Sequence, residues 1–353
     1  MKIDYKEGRK ENKMSGQKLF EQLSAKGRAF LGTTYPLIGG AMASISTHQL
    51  VSAMANAGIF GFLAAGFLNP EGLREEIKKT KELTNRPFGV NLIVLHPELE
   101  GLMNVCIEEK VSHVILASGV PSPEMITKLK NGGVKVLSFA PALTIAKRLV
   151  KNGIDALVIE GSESGGHIGP VSTVVLMQEI LPYITEVPVF VAGGIGTGMM
   201  IAASLLLGAA GCQMGTVFVG STECPVHENY KKAFYRASSR HAVQTTQMSP
   251  TFPVIPVRSL ENKAHEKFSL HQKEVIERYE NGEMPLEEAR IQIEQFWAGS
   301  LGKAVRDGDV ENGSVMAGQI VGLVKKEETI QQTVERLVDE TKISLENMQR
   351  MLK

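Results

Sequence analysis

One stretch concentrates side chains able to do chemistry: Glu160-Gly161-Ser162-Glu163-Ser164-Gly165-Gly166-His167-Ile168-Gly169. An apolar run, Ala156 to Ile159, precedes it and reads as a buried strand. The polar residues therefore sit where a strand ends, and Gly165 and Gly166 let the backbone approach a ligand closely. An imidazole held there can serve as acid or base near neutral pH, or donate to a developing negative charge. His167 is thus the candidate catalytic residue, a purely structural histidine being the alternative. Glu160 follows the strand directly. It is expected to bind a sugar-type hydroxyl or, equally, to act as a helix cap or ion-pair partner.

Two further strand ends carry glycine. Pro188-Val-Phe-Val-Ala-Gly193-Gly194-Ile-Gly196-Thr197 places Gly193, Gly194 and Gly196 after a strand and before a helix. Backbone N–H groups at such a helix start hold a phosphate without a basic side chain. Gln213-Met-Gly215-Thr216 supplies a second half-site after the next strand. Tight strand–helix packing without a ligand is the alternative for either loop. Asn91 interrupts the apolar strand Phe88-Gly89-Val90-Asn91-Leu92. A buried amide needs partners, either a polar heterocyclic edge or a strand-to-loop tie. Ser314 and Gln319 lie in a glycine-rich segment, Gly308 to Gln319, that is expected to close over a cofactor. The histidines show no metal-ligand spacing, and Cys106, Cys212 and Cys224 show none either, so no metal site is expected.

The elements that must position these residues alternate. Strands are expected at Tyr35 to Met42, ending in Gly39-Gly40-Ala41-Met42, and at Ile59 to Ala65, Phe88 to Val94, Val114 to Ala117 and Val134 to Ala140. Three more follow at Ala156 to Ile159, Val189 to Ala192 and Gln213 to Val219. Asn69-Pro70 and Ser122-Pro123 read as helix caps with a first-turn proline. Leu73, Ile77 and Leu83 are expected on one helix face. Leu99, Leu102, Met103 and Cys106 fall at i, i+3, i+4 and i+7. Eight apolar strands separated by helices predict an α/β fold, a TIM (β/α)8 barrel with its site at the C-terminal strand ends. An open doubly wound sheet is the rival. The expected organisation is an N-terminal extension over 1–30, the barrel over 31–226, a mostly helical insertion or lid over 227–300, and a return segment with a final helix over 301–353. Residues 1 to 14 read as disordered, with Met14 an alternative start.

The chain has 353 residues, 43% of them hydrophobic, and formal net charge zero. That balance argues against nucleic acid as a partner. No apolar run suits a signal core or membrane span, and the odd cysteine count fits a reducing compartment, so a cytoplasmic location is expected. A surface helix pair is expected to support a homodimer.

From about Tyr35 to Lys325 the sequence resembles the flavin-dependent barrel enzymes that include nitronate monooxygenases (2-nitropropane dioxygenase-like) and FMN-dependent enoyl-acyl carrier protein reductases. The Glu-Gly-x-Glu-x-Gly-Gly-His-Ile-Gly segment from Glu160 is the most specific part. The Ala-Gly-Gly-Ile-Gly loop and the Gln-Met-Gly-Thr strand look like the family's FMN phosphate site, and Pro-Phe-Gly-Val-Asn91 like its third strand, where the asparagine lies beside the flavin ring. The resemblance implies FMN contacts from Gly40, Ala41, Met42, Asn91, Glu160, Gly166, Gly193, Gly194, Gly196, Gln213, Gly215, Thr216, Ser314 and Gln319. His227-Glu-Asn-Tyr-Lys231 and the Gly308 to Val324 segment look more like the enoyl reductase branch. That branch implies NAD(P)H as co-substrate and a fatty-acyl thioester, on coenzyme A or an acyl carrier protein, as substrate. Glycine stands at position 39 where both branches usually carry glutamine, and Val217 where arginine is usual. The alternative within the family is oxidation of alkyl nitronates with FMN and oxygen. Outside it stands a flavin-free phosphate-binding barrel, a lyase or isomerase, which would want lysine or paired carboxylates at the strand ends.

Overall fold

The structure, a computed structural model, describes residues 15–249, 252 and 254–351. The N-terminal stretch expected to be disordered lies outside the described residues.

Helix α1 (Gly16–Leu31) leads into β1 (Leu37–Gly39), and strands and helices then alternate as α2 (His48–Asn56), β2 (Phe60–Ala64), α3 (Pro70–Leu83), β3 (Gly89–Ile93) and α4 (Leu99–Glu108). Next come β4 (His113–Ala117), α5 (Pro123–Asn131), β5 (Lys135–Phe139), α6 (Leu143–Lys151) and β6 (Ala156–Glu160). A two-residue strand β7 (Gly166–His167) intervenes before α7 (Thr173–Ile180), β8 (Val189–Ala192), α8 (Gly198–Leu206), β9 (Gly211–Met214) and a short α9 (Thr216–Val219). Strands β1-β2-β3-β4-β5-β6-β8-β9 form a closed parallel barrel, with β9 pairing back onto β1. This is the expected TIM barrel, not the open sheet.

Closure follows from the strand pattern. Alternate side chains face opposite ways. Phe60, Phe62, Ile115, Leu137, Val158 and Phe190 fill the barrel interior. Their neighbours Leu63, Val90, Leu116, Val136, Leu157 and Val191 pack under the helices. Strands apolar on both faces have no solvated side and must be enclosed. Helix starts were legible: Asn69 accepts from Gly72 N–H and Ser122 from Met125 N–H, each followed by proline. Helix α1 plugs the bottom of the barrel, with Phe30 and Leu31 joining the interior cluster. His113 Nε2 lies 3.0 Å from Phe30 O, to which Lys135 Nζ also donates at 2.6 Å.

Three expectations need correction. The eighth strand ends at Met214, and Thr216–Val219 is a helical turn because Gly215 adopts a helical backbone and its carbonyl accepts from Phe218 N–H. Strand-favouring side chains do not override that turn, since their preference reflects packing context. The first strand is also shorter than expected, and Leu83 is half exposed at the end of α3.

Beyond the barrel come α10 (Glu228–Arg236), β10 (Ala242–Gln244), β11 (Val257–Leu260), α11 (Lys263–Glu280) and α12 (Leu286–Asp307). Helices α11 and α12 share a separate small core built on Phe268, Val275, Ile293 and Trp297. Helix α12 runs through the boundary expected near residue 300. The insertion also has strand character, because β10 and β11 join β7 in a three-stranded antiparallel sheet. The final helix α13 (Ile330–Met351) packs against α8 and α1.

Candidate active site

A cavity of about 550 Å3 opens at the C-terminal strand ends. Its two sides differ. Around β1 to β5 the wall is mostly apolar, with Met42, Ile45, Ile93, Val120, Phe139 and Pro141 and the polar exceptions Asn91 and Ser118. Around β6, β8 and β9 it is polar, with Glu160, Glu163, His167, Gln213 and Thr216. The barrel order puts β6 across the ring from β2, so the two chemistries face each other.

His167 is solvent-exposed at the cavity wall. Its backbone is fixed from the insertion, not from the barrel: His167 registers with Val257 and Gly166 with Arg258, and Ile168 N–H donates to Pro256 O at 2.9 Å. Gly166 sits at φ +80°, a conformation glycine adopts without strain.

The carboxyl of Glu160 ends β6 at the cavity floor with no hydrogen bond or ion pair among the described residues. Burial alone pushes it up to about 8, so it holds a proton across much of the neutral range and can donate. Asn91, in the middle of β3, is half-buried and lines the cavity from the other side, its amide likewise making no side-chain hydrogen bond within the described residues. Among the described residues neither caps a helix nor ties a strand to a loop, and both line the cavity.

At the polar end Gly193 and Gly194 lie at φ +91° and +69°, and a Cβ on Gly194 would come within 3.3 Å of Glu163 Cβ. Their bare backbone faces the cavity beside Gly215 and Thr216. The expected use of the α8 N-terminus is only partly available. Gly198 N–H is taken by Glu340 Oε2 at 2.8 Å and Met200 N–H by the Thr197 hydroxyl. An anion there would have the Gly193-Gly194 loop and Gly215-Thr216 available to it. Gly40, Ala41, Met42, Gly166 and Gln213 also line the cavity.

Three expected residues do not line it. Gly196 is packed behind Ile320 and Leu323, and Ser314 is buried away from it. Gln319 sits behind the wall with its N–H on Glu163 O, while its neighbours Gly318 and Ile320 face the cavity. Other lining residues escaped the sequence reading. Ser118 lines the wall with φ at +55°, a strained conformation for a side-chain-bearing residue that only coordinates reveal. Ile255 and Met316 reach it from distant segments. Glu163 has a defined role in holding its loop: its carboxylate accepts from Thr173 N–H and hydroxyl at 2.9 Å.

Glycines that bare the backbone at one end, and an amide and a carboxyl without side-chain partners among the described residues, suit a phosphate-bearing heterocycle. A flavin nucleotide would fit that description: Gly193, Gly194, Gly215 and Thr216 would hold its phosphate, and Asn91 and Glu160 would lie along its length. The three thiols are buried, and burial pushes each up to about 12. Among the described residues no helix is long and apolar enough to cross a membrane.

A family model described as nitronate monooxygenase matches residues 25–106 and 99–340. The chain is similar to a (3aS,4S,5R,7aS)-5-hydroxy-7a-methyl-1-oxo-octahydro-1H-indene-4-carboxyl-CoA dehydrogenase of Rhodococcus jostii, 35% identical over 65% of this chain and 64% of that protein. A nitronate monooxygenase of Paraburkholderia phytofirmans is 31% identical over 62% of this chain and 72% of its own length. Among solved structures, FabK of Thermotoga maritima superposes with a TM-score of 0.82 at 35% identity, covering 92% of this chain and 98% of that one.

Proposed function

From the premise that this chain belongs to the nitronate monooxygenase family of flavin-dependent oxidoreductases, we propose that it is an FMN-dependent enoyl-thioester reductase drawing electrons from NAD(P)H. The observation that carries this reading is the place of the Gly308 to Val324 segment, the one that resembles the enoyl reductase branch. It forms the cavity wall through Met316, Gly318 and Ile320. It is tied to both halves of the site, by Gly318 N–H on Thr216 Oγ1 and Gln319 N–H on Glu163 O. The apolar wall from β1 to β5 suits an acyl chain, and the carboxyl-CoA named for the Rhodococcus relative supports a thioester substrate.

In this reading the flavin, when bound, would supply the hydride chemistry that saturates the β-carbon of an enoyl thioester. The chain's own residues do the rest. Asn91 and Glu160 hydrogen-bond the cofactor's polar edge and hydroxyls. The apolar wall excludes water from the acyl chain and orients it. His167 donates to the thioester oxygen as negative charge develops there, then delivers the proton that the α-carbon needs. The hydride and one proton together convert the double bond to a single bond.

Oxidation of an alkyl nitronate is the second reading, since the same wall accommodates a smaller substrate and His167 would then act as base. Anaerobic NADH or NADPH oxidation by the FMN-loaded protein, with and without a crotonyl or longer enoyl thioester, separates them. Thioester-dependent oxidation is the expected result. Its absence, with aerobic turnover of a nitronate without NAD(P)H, would favour the monooxygenase. A protein that purifies without flavin colour and does not take up FMN would point to the flavin-free barrel.

A further inference from the structure

Arg258 is a charged residue inside a buried strand. It is 7% exposed, at the centre of the small sheet formed by β10, β11 and β7. Burying a guanidinium is costly unless its donors are satisfied. Among the described residues its side-chain hydrogen bonds both run to backbone carbonyls on segments far apart in sequence: Nε donates to Ser162 O at 3.0 Å, and Nη1 to Ala242 O at 2.6 Å. Ser162 begins the loop that carries His167, and Ala242 begins the outer strand β10. Arg258 itself registers with Gly166, and Val257 with His167.

The loop from Gly161 to Gly169 contains four glycines, and a chain so composed loses much entropy on ordering. Its ladder to the insertion is two residues long. Glu163 anchors the barrel side of the loop on Thr173, and its carboxylate offsets part of the burial that pulls the Arg258 guanidinium down. The insertion side has the β7–β11 ladder and the Arg258 guanidinium.

Resting on the proposed role of His167, we infer that Arg258 is a positioning residue: it fastens the His167 loop to the insertion and so holds the imidazole at the cavity wall. An apolar side chain of similar length fills the same volume but leaves two carbonyls without that donor and the loop held on the insertion side by its short backbone ladder alone.

The test compares Arg258→Met and Arg258→Lys in the FMN-loaded protein, alone and combined with His167→Ala. Arg258→Met is expected to speed amide hydrogen exchange in the 161–169 segment while leaving FMN affinity, read by flavin fluorescence, within about threefold of wild type. Its thioester-dependent kcat is expected to fall by about 10- to 100-fold, the scale of a misplaced catalytic group. That loss should vanish in the His167→Ala background, because Arg258 acts through His167. Arg258→Lys, which keeps one charge and fewer donors, should fall between the two and covers the case in which Arg258→Met does not fold. Unchanged exchange across 161–169, or the same fold-loss in the His167→Ala background, would overturn the inference. If wild type turns over no enoyl thioester, the functional reading fails, and the exchange measurement still decides whether Arg258 holds the loop.

Discussion

The thioether sulfur of Met54, on α2, occupies the space that a Cβ on Gly39, in β1, would need. Glycine at this position, where the resembling enzymes usually carry glutamine, is therefore matched by its neighbour. A side chain added to a filled interior forces the packing apart. Gly39→Ala should lower stability by about 1–3 kcal/mol, read as a lower midpoint in denaturant. Met54→Ala in the same chain should recover part of that loss, so the double variant is more stable than the sum of the single changes requires. Simple additivity would show that the two side chains do not compete.

His113 sets a pH dependence at the other end of the barrel. Burial, the largest cause, pushes its imidazole down to about 4 from 6.5, with the bond to Phe30 O opposing. Folding thus favours the neutral ring, and the unfolded chain binds the extra proton first. Stability is fully present above about 6.5 and is lost as pH falls towards 4, with a slope of up to about 1.4 kcal/mol per pH unit. Denaturant titrations at pH 7 and pH 5 should show the loss. His113→Phe should flatten the slope between them.

Glu160 has the opposite sign. Its folded value of about 8 lies above the ordinary 4.5, so folding favours the protonated carboxyl. That contribution is fully present below 4.5 and is lost as pH rises through 8. In flavin-free protein Glu160→Gln should therefore melt higher than wild type at pH 8, and the two should converge near pH 4.5. Equal melting temperatures at pH 8 would mean that the carboxylate is well solvated at the cavity floor.

Gly194 combines a left-handed backbone with a close neighbour, Glu163 Cβ, at 3.3 Å from an added Cβ. Gly194→Ala should weaken FMN binding by at least about tenfold, a loss near 1.4 kcal/mol, measured as retained flavin fluorescence on titration. Retained affinity would move the phosphate away from this loop.

His167→Ala should keep FMN and lose turnover by about 100- to 10,000-fold, the span usual for a general acid or base. A loss confined to KM would assign the imidazole to binding alone.

Much of this molecule was legible in its residues. Strands apolar on both faces, cut by Asn69-Pro70 and Ser122-Pro123, dictate a parallel sheet with helical cover, because local periodicity and caps act over a few residues of chain. The glycine-flanked His167 and the Gly193-Gly194 loop were visible for the same reason. The tertiary structure decided what depends on segments that meet only after folding. Arg258 reaches Ser162 across 96 positions of sequence, and Glu340 reaches Gly198 across 142. Gly196, Ser314 and Gln319 fall behind the cavity wall for the same reason. The sequence determined the barrel and the chemical groups at its rim. Only the packing of the insertion and the C-terminal segments decided which of those groups face the cavity, because burial and orientation belong to the assembled surface and not to the local chain.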